Sequence, residues 1–493
     1  MISKKISYLA LLLSICCMIY AGTHYICKGH LFNGDFALYI AQAESLLNGT
    51  QGKILVDMKK MIELSTYQYY SPQLYPWGVP LLLMLPTYLF GINYLAYKCL
   101  FFVILLLVIV VLFKDLHLRK EIPVCIPVLL LTGLNPAINQ SIIFVISTIP
   151  FMFFLYLSLY LSHQIYIKGS TTNRRTIFIY CLLGVVLFMV IQTRTEGFLI
   201  LPALFIEQIW FIFKKKHTTK KDILCGFIPY AIVCMLFLIT LPLFPIGFNT
   251  YSSLATGLKL NISENFIFYL KEIPNLCLAF LQGKGVFSIY FFWVFVIIGF
   301  LKSSKYILVD KIYMIFYFSA LILCWPFEKT RFIIPLIPLL LYFLMNGILS
   351  SLRYLISLKW QIWVYRIVVV LCIGSQIPCW LIAMAKNEFK YNDFNMNVDS
   401  ANAQNMLNFI KKNTKKEDII GCCESRAVYL YTGRLSCNLS TSVEDTRRKA
   451  DWYIEFNNRE NYLQFFPEDL TYNWEVFKPV YENTEFTIYK IIK

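Results

Sequence analysis

The chain has 493 residues, 58% of them hydrophobic and 17% aromatic, and only 15% charged. Soluble domains carry about 25% charged residues, so this chain has too little polar side chain to cover a water-facing surface, and lipid must cover much of it. The formal charge of +16 does not point to nucleic acid, because the basic residues sit mostly in short loops between apolar runs, the pattern of cytoplasmic loops in membrane proteins.

In chain order, Met1 to Lys5 and the apolar run Ile6 to Tyr20 lack an A-x-A cleavage site and read as an uncleaved first span. Runs long enough to cross a bilayer are expected at 6–27, 96–113, 122–135, 148–167, 177–192, 197–213, 223–244, 286–301, 307–325, 332–350 and 363–383. Lys4/Lys5, Lys114–Lys120, Lys168–Arg175, Lys214–Lys221, Lys302/Lys305 and Arg353–Arg366 occupy every second loop, which places those loops in the cytoplasm. Segments 28–77, 136–147, 193–196, 245–285, 326–331 and the tail from about 384 then face outward. The stretch Val79 to Leu95 is apolar, but a single crossing there inverts every later loop. It reads as a re-entrant or interfacial helix, or as a span with a missed partner. The expected count is 11–13 spans.

The tail from Asn387 to Lys493 has ordinary charge density. Met406, Leu407, Phe409 and Ile410 have helical spacing, and Asp418–Cys423, Asp451–Phe456 and Phe486–Ile492 read as strands. The expected organisation is a transmembrane domain over 1–385, including the outer loop 28–77, and a small extracytoplasmic α/β domain over 386–493. Of the 15 cysteines, most lie in or beside apolar runs as small hydrophobes. No CxxC pair or Cys/His cluster marks a zinc site, and nothing indicates a disulfide among Cys422, Cys423 and Cys437.

Four features could carry chemistry. Asn33-Gly34-Asp35-Phe36-Ala37-Leu38-Tyr39 follows the first span and leads into an amphipathic helix. Asp35 is placed to act as a general base on a lipid-borne substrate, or simply to cap that helix; the two roles can coexist. Tyr75-Pro76-Trp77-Gly78-Val79-Pro80 re-enters the apolar phase with aromatics that suit an interfacial belt or a sugar ring. Thr193-Arg194-Thr195-Glu196-Gly197 and Phe327-Glu328-Lys329-Thr330-Arg331-Phe332 put charges against hydrocarbon, where charge is costly and by default functional. Their bland readings are an Arg194–Glu196 ion pair and a Lys329 and Arg331 that snorkel to headgroups. All four features fall on the outer face. A base and two arginine-bearing turns there suit an anionic phosphate in the outer leaflet, as in a polyprenyl-phosphate sugar.

These residues resemble the GT-C class of membrane glycosyltransferases, in the branch of the protein O-mannosyltransferases and lipid A aminoarabinose transferases. The likeness lies in Gly34-Asp35 with Tyr39, in Tyr75-Pro76-Trp77-Gly78-Val79-Pro80 running to Leu89-Phe90-Gly91, in Arg194-Thr195-Glu196-Gly197 with Pro202, and in Arg331-Phe332 leading to Pro335 and Pro338. It implies a polytopic helical protein with a small α/β extracytoplasmic domain, and inverting transfer from a polyprenyl-phosphate sugar to a lipid, glycan or protein acceptor. Asp35 would be the catalytic base. Arg331, Arg194 and Lys329 would bind the donor phosphate, with Tyr39, Glu44, Tyr75, Glu196 and Glu328 lining the site.

Two departures stand out. Ile146-Ser147-Thr148-Ile149-Pro150 lacks the carboxylate that branch members often carry there, which weakens the case for a divalent cation. Ser71-Pro72-Gln73-Leu74 lacks a lysine. The alternatives are a lipid or polysaccharide transporter or flippase, or an O-antigen ligase or polymerase using the 245–285 loop. Transport is disfavoured because no internal repeat is present and the span interiors hold almost no charge. The working location is a bacterial inner membrane with the N-terminus cytoplasmic and the tail outside. The sequons at Asn48 and Asn438 leave an endoplasmic reticulum location open.

Overall fold

The structure is a computed structural model, and it describes residues 4–32, 34–66, 73–168, 174–214, 220–245, 262–304, 307–324, 329–387, 396–439, 442–457 and 464–493. The helices run α1 (Lys4–Tyr25), α2 (Gly34–Asn48), α3 (Gln51–Leu64), α4 (Gly78–Phe90), α5 (Tyr94–Leu118), α6 (Ile122–Gly133), α7 (Pro136–Gln140), α8 (Thr148–Lys168) and α9 (Arg174–Thr193). They continue as α10 (Ile200–Lys214), α11 (Lys220–Thr240), α12 (Ile262–Cys277), α13 (Val286–Lys302), α14 (Leu308–Cys324), α15 (Lys329–Ile333), α16 (Ile337–Leu355) and α17 (Leu358–Ala385).

Among the described residues, seven helices are long and apolar enough to cross a membrane, or eight if the pair around α6 and α7, bent by 48°, is one broken span. The other expected crossings fall on α8, α13 and α14. Helices α13 and α14 have 17 residues each, about 25 Å at 1.5 Å per residue, a little under the roughly 30 Å hydrocarbon core. Helix α8 turns Ser158, Ser162 and His163 inward. The protein is an integral membrane protein.

Two contacts fix the ends of the bundle. Ser7 near the start of α1 bonds His117 near the end of α5 (2.8 Å), while Tyr94 at the start of α5 bonds Tyr431 of the C-terminal domain (2.6 Å). Helix α4 therefore begins and ends at the domain-bearing end. Its 13 residues reach only about 20 Å, and Gly91, at φ +65, turns the chain sharply toward α5. This is the re-entrant or interfacial form of the Val79–Leu95 expectation.

Helices α13 and α16 cross at a pair of glycines. A Cβ on Gly299 would lie 1.8 Å from the Phe343 carbonyl oxygen, and one on Gly347 would lie 1.8 Å from that of Phe295. Backbone cannot yield as a side chain can, so Gly347→Ala is expected to force the helices apart. The cost should be about 1–3 kcal/mol, seen as a lower unfolding temperature in detergent than for a neighbouring lipid-facing substitution.

The charges are not confined to one face. At the end of the bundle away from the C-terminal domain, Arg119 reaches Asp115 (3.0 Å), Asp310 (3.6 Å) and Glu121 (3.7 Å). His163 lies 2.7 Å from Asp115 and 3.5 Å from Asp310. Glu207 accepts from the Ser162 hydroxyl (2.7 Å) and the Val309 amide (3.1 Å). Asp115 and Arg119, which fall in the basic loop Lys114–Lys120 expected in the cytoplasm, thus fold back into the bundle, because each finds an opposite charge there.

The C-terminal domain is a five-stranded sheet of order β2-β1-β3-β5-β4, with β1 (Ile420–Gly421), β2 (Ser436–Cys437), β3 (Trp452–Phe456), β4 (Phe477–Glu482) and β5 (Phe486–Ile491). The pairs β1–β2 and β1–β3 are parallel, and β3–β5 and β4–β5 antiparallel. Sequence patterning finds β1, β3 and β5 but not β2, which is two residues long, or β4, an edge strand with mostly exposed residues. Helices α18 (Ala401–Asn413), α19 (Ser425–Thr432), α20 (Val443–Lys449) and α21 (Pro467–Tyr472) complete it. Buried Phe32 packs edge-on against Phe456 and Phe486, which seats the sheet directly on the loop that leads into α2.

Candidate active site

The loop before α2 is held rigidly from beneath. Lys98, fully buried in α5, donates to the carbonyls of Gly29 (2.5 Å) and Cys27 (3.3 Å). His30, whose ring burial and the nearby Lys98 charge push down to about 3, is neutral and accepts the Val145 amide hydrogen at 3.0 Å. Past this anchor the chain enters α2, whose first turn carries Asp35. A carboxylate there meets the positive end of the helix dipole.

Asp35 uses both oxygens. Oδ1 accepts a short hydrogen bond from the Tyr75 hydroxyl, and Oδ2 accepts from Arg331 Nη1 at 2.5 Å. Burial raises the Asp35 carboxyl, but the Arg331 guanidinium, the Tyr75 hydroxyl and the Arg426 charge outweigh it and hold the group below the usual carboxylate range. The Asp35 side chain remains 28% exposed and that of Arg331 19%, so a substrate can reach the pair.

Tyr75 is held in place by α2. The Gln42 amide donates to the Tyr75 carbonyl (2.9 Å) and accepts its backbone amide hydrogen (3.0 Å), while the Tyr39 and Tyr75 rings lie 4.6 Å apart. Burial, and then the Asp35 charge, push the Tyr39 hydroxyl up to about 12, so it stays protonated. Residues 35, 39 and 42 are spaced at i, i+4 and i+7 and share one face of α2. Nine residues from Asp35, Glu44 falls half a turn around the helix and is not brought to the cluster. Its charge is felt by Tyr97, Tyr429 and Tyr431.

Arg194 forms an adjoining unit. It pairs with Glu196 at 3.1 Å, its guanidinium lies 4.1 Å from the centre of the Phe332 ring and 5.6 Å from that of Phe151, and its Nη1 is buried with no hydrogen-bond partner among the described residues. Lys329 lies over Phe268 of α12 at 5.1 Å. Glu328 lies outside the described residues. The structure therefore brings together Asp35, Tyr39, Tyr75 and Arg331, sets Arg194 and Glu196 beside them, and leaves Glu44 apart.

Two members were not read from sequence. Gln42 had a signal, its i+7 spacing from Asp35. Arg426 had none: it lies on α19 in the soluble tail, and its Nη1 donates to the Tyr75 hydroxyl at 3.1 Å. Among the described residues no group of three or more His, Cys, Asp or Glu side chains is arranged to hold a metal ion. Asp35 is the only carboxylate described at the Tyr75–Arg331 cluster, and Glu196 is already engaged by Arg194.

No protein-family model matches the chain, and no curated protein matches it in sequence. Solved structures do match in shape. ArnT from Cupriavidus metallidurans bound to undecaprenyl phosphate aligns at a TM-score of 0.57 and 11% identity, over 99% of this chain and 98% of that one. The Archaeoglobus fulgidus oligosaccharyltransferase in complex with zinc and sulfate aligns at 0.60 and 12%, over 91% and 67%. The mycobacterial arabinofuranosyltransferase AftD aligns at 0.51 and 8%, over 100% and 40%. At such identities the likeness is one of fold, and the chain has the fold of the GT-C class of membrane glycosyltransferases.

Proposed function

We propose that the chain is a membrane glycosyltransferase that moves a sugar from a polyprenyl-phosphate donor to an acceptor hydroxyl on the outer face of the membrane, with inversion at the anomeric carbon. The observation that carries this reading is the pairing of Asp35 with Arg331 and Tyr75 at one end of the bundle. Arg331, Arg426 and Arg194 against Asp35 and Glu196 leave one positive charge in excess among the described residues there, which suits a phosphate. The GT-C fold and the undecaprenyl phosphate bound by ArnT support the same donor class.

In this mechanism Asp35 takes the acceptor's hydroxyl proton. The freed oxygen attacks the anomeric carbon from the face opposite the phosphate, and the carbon–oxygen bond to the phosphate breaks. The leaving phosphate takes up negative charge that Arg331 and Arg194 neutralise. A carboxylate held by two arginines is a weak base. A phosphate that draws Arg331 toward itself strengthens Asp35 at the moment both substrates are present.

The transporter reading would draw on the buried charges around Arg119. The cavity beside them measures about 20 Å³, room for a single water and far too small for a sugar or a lipid headgroup.

The test is mass spectrometry of envelope glycolipids and glycoproteins from a strain lacking the gene, with and without the wild-type copy. A glycan lost in the first and restored in the second is expected; unchanged envelopes in both would end the transferase reading. Arg331→Gln in the same strain is expected to lower that product about 100- to 1,000-fold at unchanged protein level. Full product from this variant would remove Arg331 from the phosphate site.

A further inference from the structure

We propose that Arg426 of the C-terminal domain is a positioning residue for the site, holding the Tyr75 hydroxyl on Asp35 so that the carboxylate keeps its charge and orientation when Arg331 turns to the donor phosphate. The inference rests on the proposed transferase reading for its purpose, but not for its geometry.

Arg426 is 7% exposed. Its Nη1 donates to the Tyr75 oxygen at 3.1 Å, and its guanidinium lies 5.3 Å from the centre of the Tyr75 ring. A phenol that receives a hydrogen bond from a cation becomes a stronger donor through its own O–H, and that O–H is directed at Asp35 Oδ1. Asp35 is thus held from two independent sides. Arg331 comes from α15 in the membrane domain, and the Tyr75–Arg426 pair depends on the soluble domain.

Helix α19 is fixed where this requires. One turn beyond Arg426, the Tyr429 hydroxyl donates to Asp57 of α3 at 2.8 Å, and Tyr431 bonds Tyr94 at 2.6 Å. The arginine is therefore carried on an element bolted to α3 of the outer loop and to the start of α5. This gives the C-terminal domain a part in the chemistry itself, beyond covering the site or selecting an acceptor.

The charged and titratable groups that face Asp35 are Arg331, Tyr75, Arg426, the Tyr39 hydroxyl on its own helix and His30 beneath. His30 is neutral at working pH and Tyr39 stays protonated, so among these groups Asp35 is the carboxyl that titrates. Its charge is favoured by the arginines, is present above the folded midpoint, and is lost as pH falls through it. Removing one arginine moves that midpoint up.

The experiment is a pH titration of the purified full-length protein in detergent by infrared difference spectroscopy. The protonated carboxyl band of Asp35 is identified by its absence from Asp35→Asn. Arg426→Gln is expected to raise the midpoint by about one pH unit, and Tyr75→Phe to raise it similarly. Arg426→Lys should recover part of the shift, and Arg448→Gln, which removes an exposed arginine of the same domain that pairs with Asp445, should leave the midpoint in place. The envelope product of Arg426→Gln is expected to fall about tenfold.

An unmoved midpoint in Arg426→Gln, or an equal rise in Arg448→Gln, overturns the inference whatever the product shows. A raised midpoint in Arg426→Gln alone supports it. If the wild-type gene yields no product while the midpoint still shifts, the transferase reading fails and the hold of Arg426 on Asp35 stands.

Discussion

Asp35→Asn is expected to lower glycosyl transfer by about two to four orders of magnitude, the usual contribution of a positioned general base, while the protein folds and inserts as before. The amide has the shape of the carboxylate and can still accept from the Tyr75 hydroxyl, but it cannot take a proton from the acceptor. The fold should tolerate the change, because the Asp35–Arg331 pair is partly open to water and such pairs contribute about 0–1 kcal/mol. The decisive comparison sets the amount of product against the amount of monodisperse protein with a wild-type unfolding temperature. Wild-type product from Asp35→Asn would refute the base. Lost product together with lost protein would call for Asp35→Glu, whose carboxylate reaches about one bond further and should restore part of the transfer.

Arg119→Leu is expected to affect folding on a comparable scale without touching the site. The substitution leaves Asp115, Asp310 and Glu121 facing one another with His163 as the remaining cation. Breaking a buried charge network by removing one partner costs about 3–5 kcal/mol. The unfolding temperature in detergent should drop sharply, or the protein should fail to accumulate. Arg119→Lys separates charge from shape. It keeps the cation but loses the planar guanidinium that lies 4.4 Å from the centre of the Tyr342 ring, so a partial loss is expected. Wild-type stability in Arg119→Leu would mean that the acids carry protons and do not need the arginine.

Much of the molecule was legible before its structure. Apolar runs and the alternation of basic loops locate the passes, and the order of Asp35, Tyr75, Arg194 and Arg331 puts them at one end although the first and last are 296 residues apart. Periodicity along the α2 face also separates Tyr39 from Glu44. Other features were beyond reach for physical reasons. The positive-inside pattern reports where charge is dense but not whether it is neutralised, so Arg119 read as a loop residue while it folds into the bundle. Two-residue β2 has no period to detect. Arg426 approaches Tyr75 only because an entire soluble domain docks, and nothing local to Ser425–Thr432 encodes that.

The bridge between Leu31 and Asn397, with the Asn397 side chain lodged against Gly29, has a consequence for biosynthesis. The loop that presents Asp35 is synthesised well before the segment that clamps it, and a nascent chain that has not reached Arg426 lacks part of the constellation. The cluster around Asp35 is therefore expected to form only after the segment from Met396 to Thr432 has been made and has folded over the first loop. Any quality-control step that senses the uncovered Phe32 edge before that point would be reading whether the sheet has docked.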